Sequence, residues 1–360
     1  MDPGRHYASW IGRTVHKNTK VILMLPILAV CAVQEACAGS PDSAGEHVKF
    51  ILENTSRQLC AGSVPYLNSY VERVFGFFEE PVPDAYMVPV HVVNESACRH
   101  GACYRSGDEE VFIDELDRSG VRTIGVLRHE LTHAVIDHVW GQSVPFFGEG
   151  LAEALSQTAD WSQISMQIIP VGKMLDSETD SLDYTAAARF VRFLIDARGL
   201  ARFKRLFQAS SERTQDSIRM AFVEVYGEDF DTLEAEFLSG APRCTFQVDI
   251  CEMDNAEPVG SSWSLTFAAS CDDPDFYGSI GREGENIATQ RTIFVESAGV
   301  YHLSASSPVL LARCGDCDEQ FIPSLVYEGN VQLQEGPYTL EVTMTKDTVV
   351  TLEILRQTDP

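Results

Sequence analysis

The spacing of apolar residues changes near residue 245, and this change constrains the fold more than any other feature of the sequence. Before it, apolar residues recur every three or four positions over long segments, which is typical of amphipathic helices. After it, short alternating segments such as Trp263–Phe267 and Tyr338–Thr345 are separated by glycine and proline, which is typical of a β-sandwich. We therefore predict an α+β chain, with a mostly helical domain and a small sheet over 39–240, followed by an all-β sandwich over 241–360.

The same patterns predict the individual elements of the first domain. Helical spacing runs through residues 47–78, and the long apolar face of Gly120–Trp140 predicts a helix that ends at Gly141. Pro145–Gly148 predicts a turn, after which a new helix begins at Glu149. The further predicted elements are short strands at Val90–Val93 and Val111–Ile113 and helices at Tyr184–Ala197, Ala201–Gln208 and Asp229–Leu238, with one more helix ending near Tyr226.

The first 38 residues predict a signal peptide for export. Four basic residues precede an apolar run at Val21–Val33, and the small-residue sequence Ala36-Cys37-Ala38 follows it. The run is shorter than the roughly 20 apolar residues of a membrane-spanning helix, so we expect no transmembrane span once the signal is removed. Lipid attachment at Cys37 is the alternative to cleavage after Ala38, so the protein is either secreted or anchored in the cell envelope.

The cysteine count agrees with export. The chain has ten cysteines, of which Cys31 and Cys37 lie inside the predicted signal peptide. The rest form an even set, which in an exported protein predicts disulfide bonds. They are Cys60, Cys98, Cys103, Cys244, Cys251, Cys271, Cys314 and Cys317. Cys98 and Cys103 bracket a tight loop and are expected to pair, and the lone Cys314-Gly-Asp-Cys317 motif favours a disulfide over half of a zinc ribbon.

The charge of the chain excludes two classes of function. It has 53 acidic and 27 basic residues, a formal net charge of −26, and no cluster of lysine and arginine. Such a field repels polyphosphate, so binding to nucleic acid or to an anionic membrane surface is not expected. It favours basic or neutral partners instead.

The pentapeptide His129-Glu-Leu-Thr-His133 carries the strongest chemical signal and lies within the long predicted helix. Residues four apart on a helix differ by about 40° in azimuth and one turn in height, so both imidazoles can reach one ion. Glu130 points about 100° away, which places its carboxylate beside such an ion, where it can take a proton from water. Neutral imidazole suits Zn²⁺, which is the expected cofactor.

A catalytic zinc site needs a third protein ligand, and three candidates follow the pentapeptide. His138 faces away from His129 on the same helix, and Asp137 lies about 12 Å along the axis from His129, too far for three ligands of one straight helix to converge. Glu149 lies on the next predicted helix, which could return against the first, and is the candidate that we prefer. Glu153, one turn further, is placed to accept the spare N–H of a ligand imidazole.

At this point the sequence resembles the gluzincin metallopeptidases, particularly the bacterial peptidase MA-like group. The resemblance rests on His129-Glu-Leu-Thr-His133 followed by Pro145-Phe-Phe-Gly-Glu149-Gly-Leu-Ala-Glu153, and covers roughly 110–240. It implies a zincin fold with His129, His133 and Glu149 as metal ligands and Glu130 as general base. The sequence departs from the group at Phe147, where tryptophan is common, and in the 15 residues between His133 and Glu149, fewer than in many gluzincins.

The same resemblance suggests a tyrosine downstream of the glutamate ligand as the group that stabilises the oxyanion. Tyr184, at the start of the next long helix, is the candidate, and a half-buried packing role is its alternative. Tyr226 and His91 are weaker candidates. The second domain resembles the pre-peptidase C-terminal β-sandwich, through Phe294–Ser304 and Gly336–Val342, and such a module would bind a cell surface, a glycan or the enzyme itself.

The sequence therefore predicts an exported zinc metallopeptidase that acts on a peptide or protein substrate. The alternative is a cell-envelope binding protein whose metal site is structural or inactive and whose β-sandwich does the binding. Glu130 favours the enzyme, because a structural site has no need of a carboxylate beside the metal. We expect an endopeptidase, with an exopeptidase as a narrower alternative that no sequence feature excludes. The sequence leaves open whether residues 39–110 are a pro-segment or part of the catalytic domain.

Overall fold

The computed structural model describes the protein over residues 45–52, 58–93, 97–98, 101–114, 120–156, 168–210, 214–240, 256, 258, 262–280, 286–314 and 324–357. The predicted signal peptide, residues 1–38, lies outside these ranges. The helices are α1 (Ser63–Phe77), α2 (Gly120–Trp140), α3 (Pro145–Ser156), α4 (Tyr184–Arg198), α5 (Leu200–Ala209), α6 (Gln215–Tyr226) and α7 (Phe230–Gly240). None of the helices in these ranges combines the length and the apolar character that a membrane crossing requires.

The first part of the described chain has five strands, and all of them except β2 form a small mixed sheet. They are β1 (Val48–Leu52), β2 (Gln58–Leu59), β3 (Val88–Val93), β4 (Ala102–Arg105) and β5 (Glu110–Asp114). The sheet has the order β1-β3-β5-β4, with β1, β3 and β5 parallel and β4 antiparallel to β5. Strand β4 therefore lies at one edge of this sheet, and the predicted strands at Val90–Val93 and Val111–Ile113 are confirmed.

The prediction of a helix through residues 47–78 is correct only for its second half. Residues 63–77 form α1, but Val48–Leu52 form β1, which pairs in parallel with Val88–Val92. Val48 and Phe50 are both fully buried, as the two-residue period of a strand requires. Five residues are too few to separate that period from a helical one, and the partner strand, which lies 40 positions later, decides the structure.

The predicted turn at Pro145–Gly148 is also wrong, because α3 begins at Pro145. Proline is favoured in the first position of a helix, since its missing N–H would have no partner there. Phe146 and Phe147 are completely buried, so these residues pack into the core. Gly150 faces α4 so closely that a methyl group there would lie 3.0 Å from the Ala187 carbonyl oxygen. Glu149 consequently lies inside α3, one turn from its start.

The C-terminal part of the described chain is an antiparallel β-structure. Its strands are β6 (Ser262–Ala268), β7 (Ser279–Ile280), β8 (Asn286–Val295), β9 (Gly299–Arg313), β10 (Ser324–Leu333), β11 (Gly336–Thr345) and β12 (Val349–Arg356). The main path is β6-β12-β9-β11-β8, with β10 also paired to β9.

The predicted β-sandwich is built by bending this one sheet. The first half of β9 pairs with β12 and its second half with β11, so β9 joins the two ends of the path. Trp263 and Ile354 from one end share a buried cluster with Ile293 and Leu340 from the other. The sheet thus curls around a single core. The predicted α+β fold class is confirmed, with helices and a small sheet first and a curled antiparallel sheet after them.

The two parts of the chain are joined by covalent and polar contacts. Cys60, just before α1, forms a disulfide with Cys271, and the short strand β2 pairs with β7. The Ser63 hydroxyl donates to the carbonyl of Gly278 at 2.7 Å and accepts from its amide at 3.0 Å. Helix α1 is therefore fixed to the β-structure at its first residue.

Disulfide bonding agrees with the prediction wherever it can be described. Cys98 and Cys103 form the expected bond across a five-residue separation, whereas the pairing of Cys60 with Cys271 spans 211 residues. Cys314 is disulfide-bonded as well. Cys244, Cys251 and Cys317 lie outside the described residues.

Candidate metal centre

Helix α2 presents the two histidines of the pentapeptide toward one cavity. The opposite face of the helix is held in the core by Leu127, Leu131 and Val135, all fully buried. The Thr132 hydroxyl donates to the Arg128 carbonyl at 2.8 Å and accepts from the Tyr70 hydroxyl of α1 at 2.6 Å. These contacts set the rotation of α2 about its axis, and therefore the direction of the histidines.

Glu149 from α3 meets both histidines. Its Oε2 lies 3.0 Å from His129 Nε2 and 3.1 Å from His133 Nε2, and the two nitrogens are 3.2 Å apart. A tetrahedral zinc ion with bonds of about 2.0 Å holds its ligand atoms about 3.3 Å from one another. The three atoms thus form a nearly equilateral triangle of the size that one such ion requires, and the group could hold a metal ion.

The electrostatics of this group favour a positive charge at its centre. Burial alone would lower the pKa of His129, but hydrogen bonding to Glu149 and Glu153 outweighs it and raises the pKa to about 10. Burial would raise the pKa of the Glu149 carboxyl, but His133 and His129 hold it well below its usual range. Two imidazoles and one carboxylate are also a donor set that suits Zn²⁺.

The Nδ1 atom of His129, which is not part of the three-atom group, also has polar neighbours. Glu153 Oε2 lies 3.4 Å from His129 Nδ1, and the Ser156 hydroxyl lies 3.4 Å from the same atom. Glu153 is almost completely buried. A carboxylate in this position orients a ligand imidazole and increases its basicity, and it lies where the sequence placed it. Ser156 was not anticipated, although it follows Glu153 by about one turn on the same face of α3.

Glu130 lies beside the three-atom group and outside it. Its Oε2 accepts a hydrogen bond of 2.8 Å from the backbone N–H of Tyr104 in β4. This bond fixes the carboxylate, and it shows that the edge of β4 that carries the Tyr104 N–H is turned toward α2. Strand β4 was not predicted, because four residues next to a disulfide loop carry too short a pattern.

These side chains border a cavity of ≈ 970 Å³. Helix α2 contributes residues from Val126 to Asp137, β4 contributes Tyr104, and α4 contributes Tyr184 at its start. The Tyr184 ring is centred 6.0 Å from the His129 ring. The size of the cavity is in the range of small-molecule and peptide sites.

Three other sequence candidates lie elsewhere, whereas Asp137 lines the cavity outside the three-atom group. His138 is exposed and its ring lies against Tyr86, 5.1 Å between centroids. His91 lies on β3 and stacks on Phe112, while Tyr226 is buried beside Phe222. Of the three residues considered for the oxyanion, Tyr184 alone lines the cavity as the described chain forms it.

A second group with metal-binding side chains lies on the surface beside the middle of α1. It consists of Glu46, His47 and Glu72, with His47 Nε2 3.5 Å from Glu72 Oε1. Glu46 and Glu72 are exposed, and the group borders no part of the ≈ 970 Å³ cavity. It serves below as a control for metal binding.

Comparison with known proteins assigns no family. No family model matches the chain, and no curated protein matches it. Among solved structures, the chain is similar to the pre-peptidase C-terminal domain of a collagenase from Bacillus anthracis, with 16% identity over 29% of this chain and 96% of that one, at a TM-score of 0.20. It is also similar to a GH26-CBM35 β-(1,4)-mannanase from Podospora anserina, with 13% identity over 28% of each chain, at a TM-score of 0.17. TM-scores at this level carry no functional implication.

Proposed function

We propose that this protein is an exported zinc-dependent peptidase of the gluzincin type, with His129, His133 and Glu149 as metal ligands and Glu130 as general base. One observation carries the proposal: three donor atoms converge within 3.2 Å of one another beside a separate carboxylate in a cavity. Structural zinc sites are closed by four protein ligands, whereas catalytic sites have three and an open position. The three-ligand group next to the cavity supports catalysis over the alternative of a metal-holding binding protein.

In this proposal, each of the side chains around the metal has a separate role in peptide hydrolysis. Bound zinc supplies a Lewis acid that polarises a carbonyl and lowers the pKa of water. Glu130 takes the proton of the attacking water and delivers it to the leaving amine, so that a poor leaving group departs neutral. The Tyr104 amide holds the Glu130 carboxylate in place at 2.8 Å. Glu153 orients His129, and Tyr184 donates to the oxygen on which negative charge develops.

The shape of the cavity favours cleavage within a chain. Helix α2 lines it from Val126 to Asp137, about 16 Å along the helix axis. That distance corresponds to about five residues of extended peptide. The edge of β4 away from β5 offers its backbone groups other than the Tyr104 N–H, which Glu130 accepts, and an extended peptide can add there as a further strand. We therefore propose an endopeptidase.

The proposal includes a location outside the cytoplasm. The described disulfides, Cys60–Cys271 and Cys98–Cys103, are typical of an oxidising compartment. The mass of the N-terminal peptide of the exported protein distinguishes cleavage after Ala38 from lipid attachment at Cys37.

The metal-dependence test uses the processed chain recovered after export. We expect one zinc ion per chain, cleavage of an unfolded protein substrate, loss of both on chelation and recovery of both with zinc. Glu149→Ala should lose the ion, since two histidines alone leave the site one ligand short. His47→Ala should keep it, because it alters only the surface group. Retention of zinc by Glu149→Ala, or its loss from His47→Ala, would contradict the assignment of the site.

Tyr184→Phe is expected to lower kcat by about 10²-fold without loss of zinc, because the removed hydroxyl acts mainly on charge that develops in the transition state. The KM should change little for the same reason. Tyr226→Phe, which alters a buried hydroxyl away from the cavity, is the matched control. Equal kcat values for Tyr184→Phe and the parent enzyme would remove Tyr184 from the mechanism.

A further inference from the structure

The cavity around the metal centre has a strongly acidic lining. Five carboxylate residues line it, and the described chain contributes no lysine or arginine to its lining. The carboxylates are Glu130, Asp137, Glu149, Glu153 and Glu178. Three of them have assigned roles at the metal centre under the proposed function. Asp137 has none, although it lies on the same helix as the histidines.

Asp137 is placed one helical turn beyond His133. Residues four apart on a helix share a face and are separated by about 6 Å along the axis, so the Asp137 carboxylate follows the two imidazoles along the groove. It is partly buried, and no lysine or arginine within the described residues forms an ion pair with it. A partly buried carboxylate that is not paired with a cation attracts one strongly, because the low dielectric of the groove strengthens the electrostatic interaction.

Tyr104 fixes this carboxylate and leaves part of it open. The Tyr104 hydroxyl donates to Asp137 Oδ2 at 3.0 Å, while the backbone N–H of the same residue donates to Glu130. Burial and the neighbouring Asp137 raise the pKa of Tyr104 well above its usual value, so its hydroxyl stays protonated and continues to donate. One residue of β4 therefore positions the proposed general base and Asp137 together, and Asp137 Oδ1 accepts no hydrogen bond from the described side chains of the groove.

We propose that Asp137 is a specificity residue that selects a substrate with a lysine or arginine side chain next to the cleaved bond. This inference rests on the proposed peptidase function. A lysine side chain extends about 6 Å from its backbone. This length matches the distance of about 6 Å along the axis of α2 between His133 and Asp137. The Tyr104 ring gives the aliphatic part of such a side chain an apolar surface to lie on. The net charge of −26 draws basic peptides toward the same groove.

The test compares two peptides that differ at a single position. Cleavage sites in an unfolded protein, read by mass spectrometry, first show which side of the cleaved bond carries the basic residue. A peptide with lysine at that position is then compared with its glutamine counterpart. We expect kcat/KM to favour the lysine peptide by about 10- to 100-fold in the parent enzyme, and Asp137→Asn to abolish most of that ratio.

Two further variants separate recognition from folding. Tyr104→Phe removes the hydroxyl and keeps the Asp137 carboxylate, so the preference for lysine should persist. Asp137→Lys should turn the preference toward a glutamate peptide. Equal cleavage of both peptides by the parent enzyme, or an unchanged ratio in Asp137→Asn, would overturn the inference and leave the peptidase intact. Cleavage of neither peptide by zinc-loaded parent enzyme would overturn the peptidase proposal, and the inference with it.

Discussion

Glu130→Gln is expected to lower kcat for peptide cleavage by about 10³-fold while the protein keeps its zinc. The carboxylate is the group that takes the proton from water, and an amide of the same shape cannot do so. Glu130 lies outside the His129, His133 and Glu149 triangle, so the change removes no metal ligand. The glutamine oxygen can still accept the hydrogen bond from the Tyr104 amide, which keeps β4 against α2.

The measurement is steady-state cleavage of one peptide by the parent and the variant, with zinc content determined on the same samples. Glu178→Gln, which neutralises another carboxylate at the border of the cavity, controls for the loss of negative charge alone. Equal activity in parent and Glu130→Gln, with equal zinc, would contradict the role of Glu130. Zinc in both with cleavage by neither would favour the binding-protein alternative.

The second large effect concerns stability. Replacing Cys60 and Cys271 together by alanine opens a loop that spans 211 residues, and the chain-entropy estimate for a loop of that size is about 5 kcal/mol of unfolding free energy. The matched control replaces Cys98 and Cys103, whose separation is five residues, and the same estimate gives about 2 kcal/mol. Both double variants leave no unpaired thiol from the deleted bond.

Urea unfolding without reductant, followed by tryptophan fluorescence, measures both losses. We expect the midpoint to fall much further for the Cys60 and Cys271 variant, because the long loop restricts the unfolded chain most. Equal losses in the two double variants would show that loop length does not govern the stabilisation. Zinc should be present in both samples, since bound metal raises the apparent stability of either.

The sequence predicts the histidine pair well because its geometry is local. His129 and His133 share one helix, and the helical period alone places them on one face. Glu149 was the preferred third ligand, and the structure brings it to both histidines, although it lies within α3 and not at the start of a helix after a turn. The approach of α3 to α2 depends on tertiary packing, which spacing does not encode.

Most of the features that the sequence left unpredicted are non-local. Strand β1 depends on a partner 40 residues later, and Tyr104 gains its position only because β4 joins β5 at the edge of the sheet. The pairing of Cys60 with Cys271 is one outcome among many for eight cysteines, and no local pattern selects it. The residues that shape the groove around the metal centre are therefore harder to find than its ligands.

Because of the disulfide between Cys60 and Cys271, the packing around the metal centre also depends on the order in which the chain is synthesised. Helix α2 emerges from the ribosome well before residue 271, but its neighbour α1 is fixed only when later residues arrive. Arg128 on α2 donates to the Tyr66 hydroxyl at 3.1 Å, and Tyr66 stacks on Tyr277 at 4.1 Å. A chain interrupted before residue 271 lacks both the covalent bond and this stack, so the support behind the metal-binding helix is completed only after residue 277 has been synthesised.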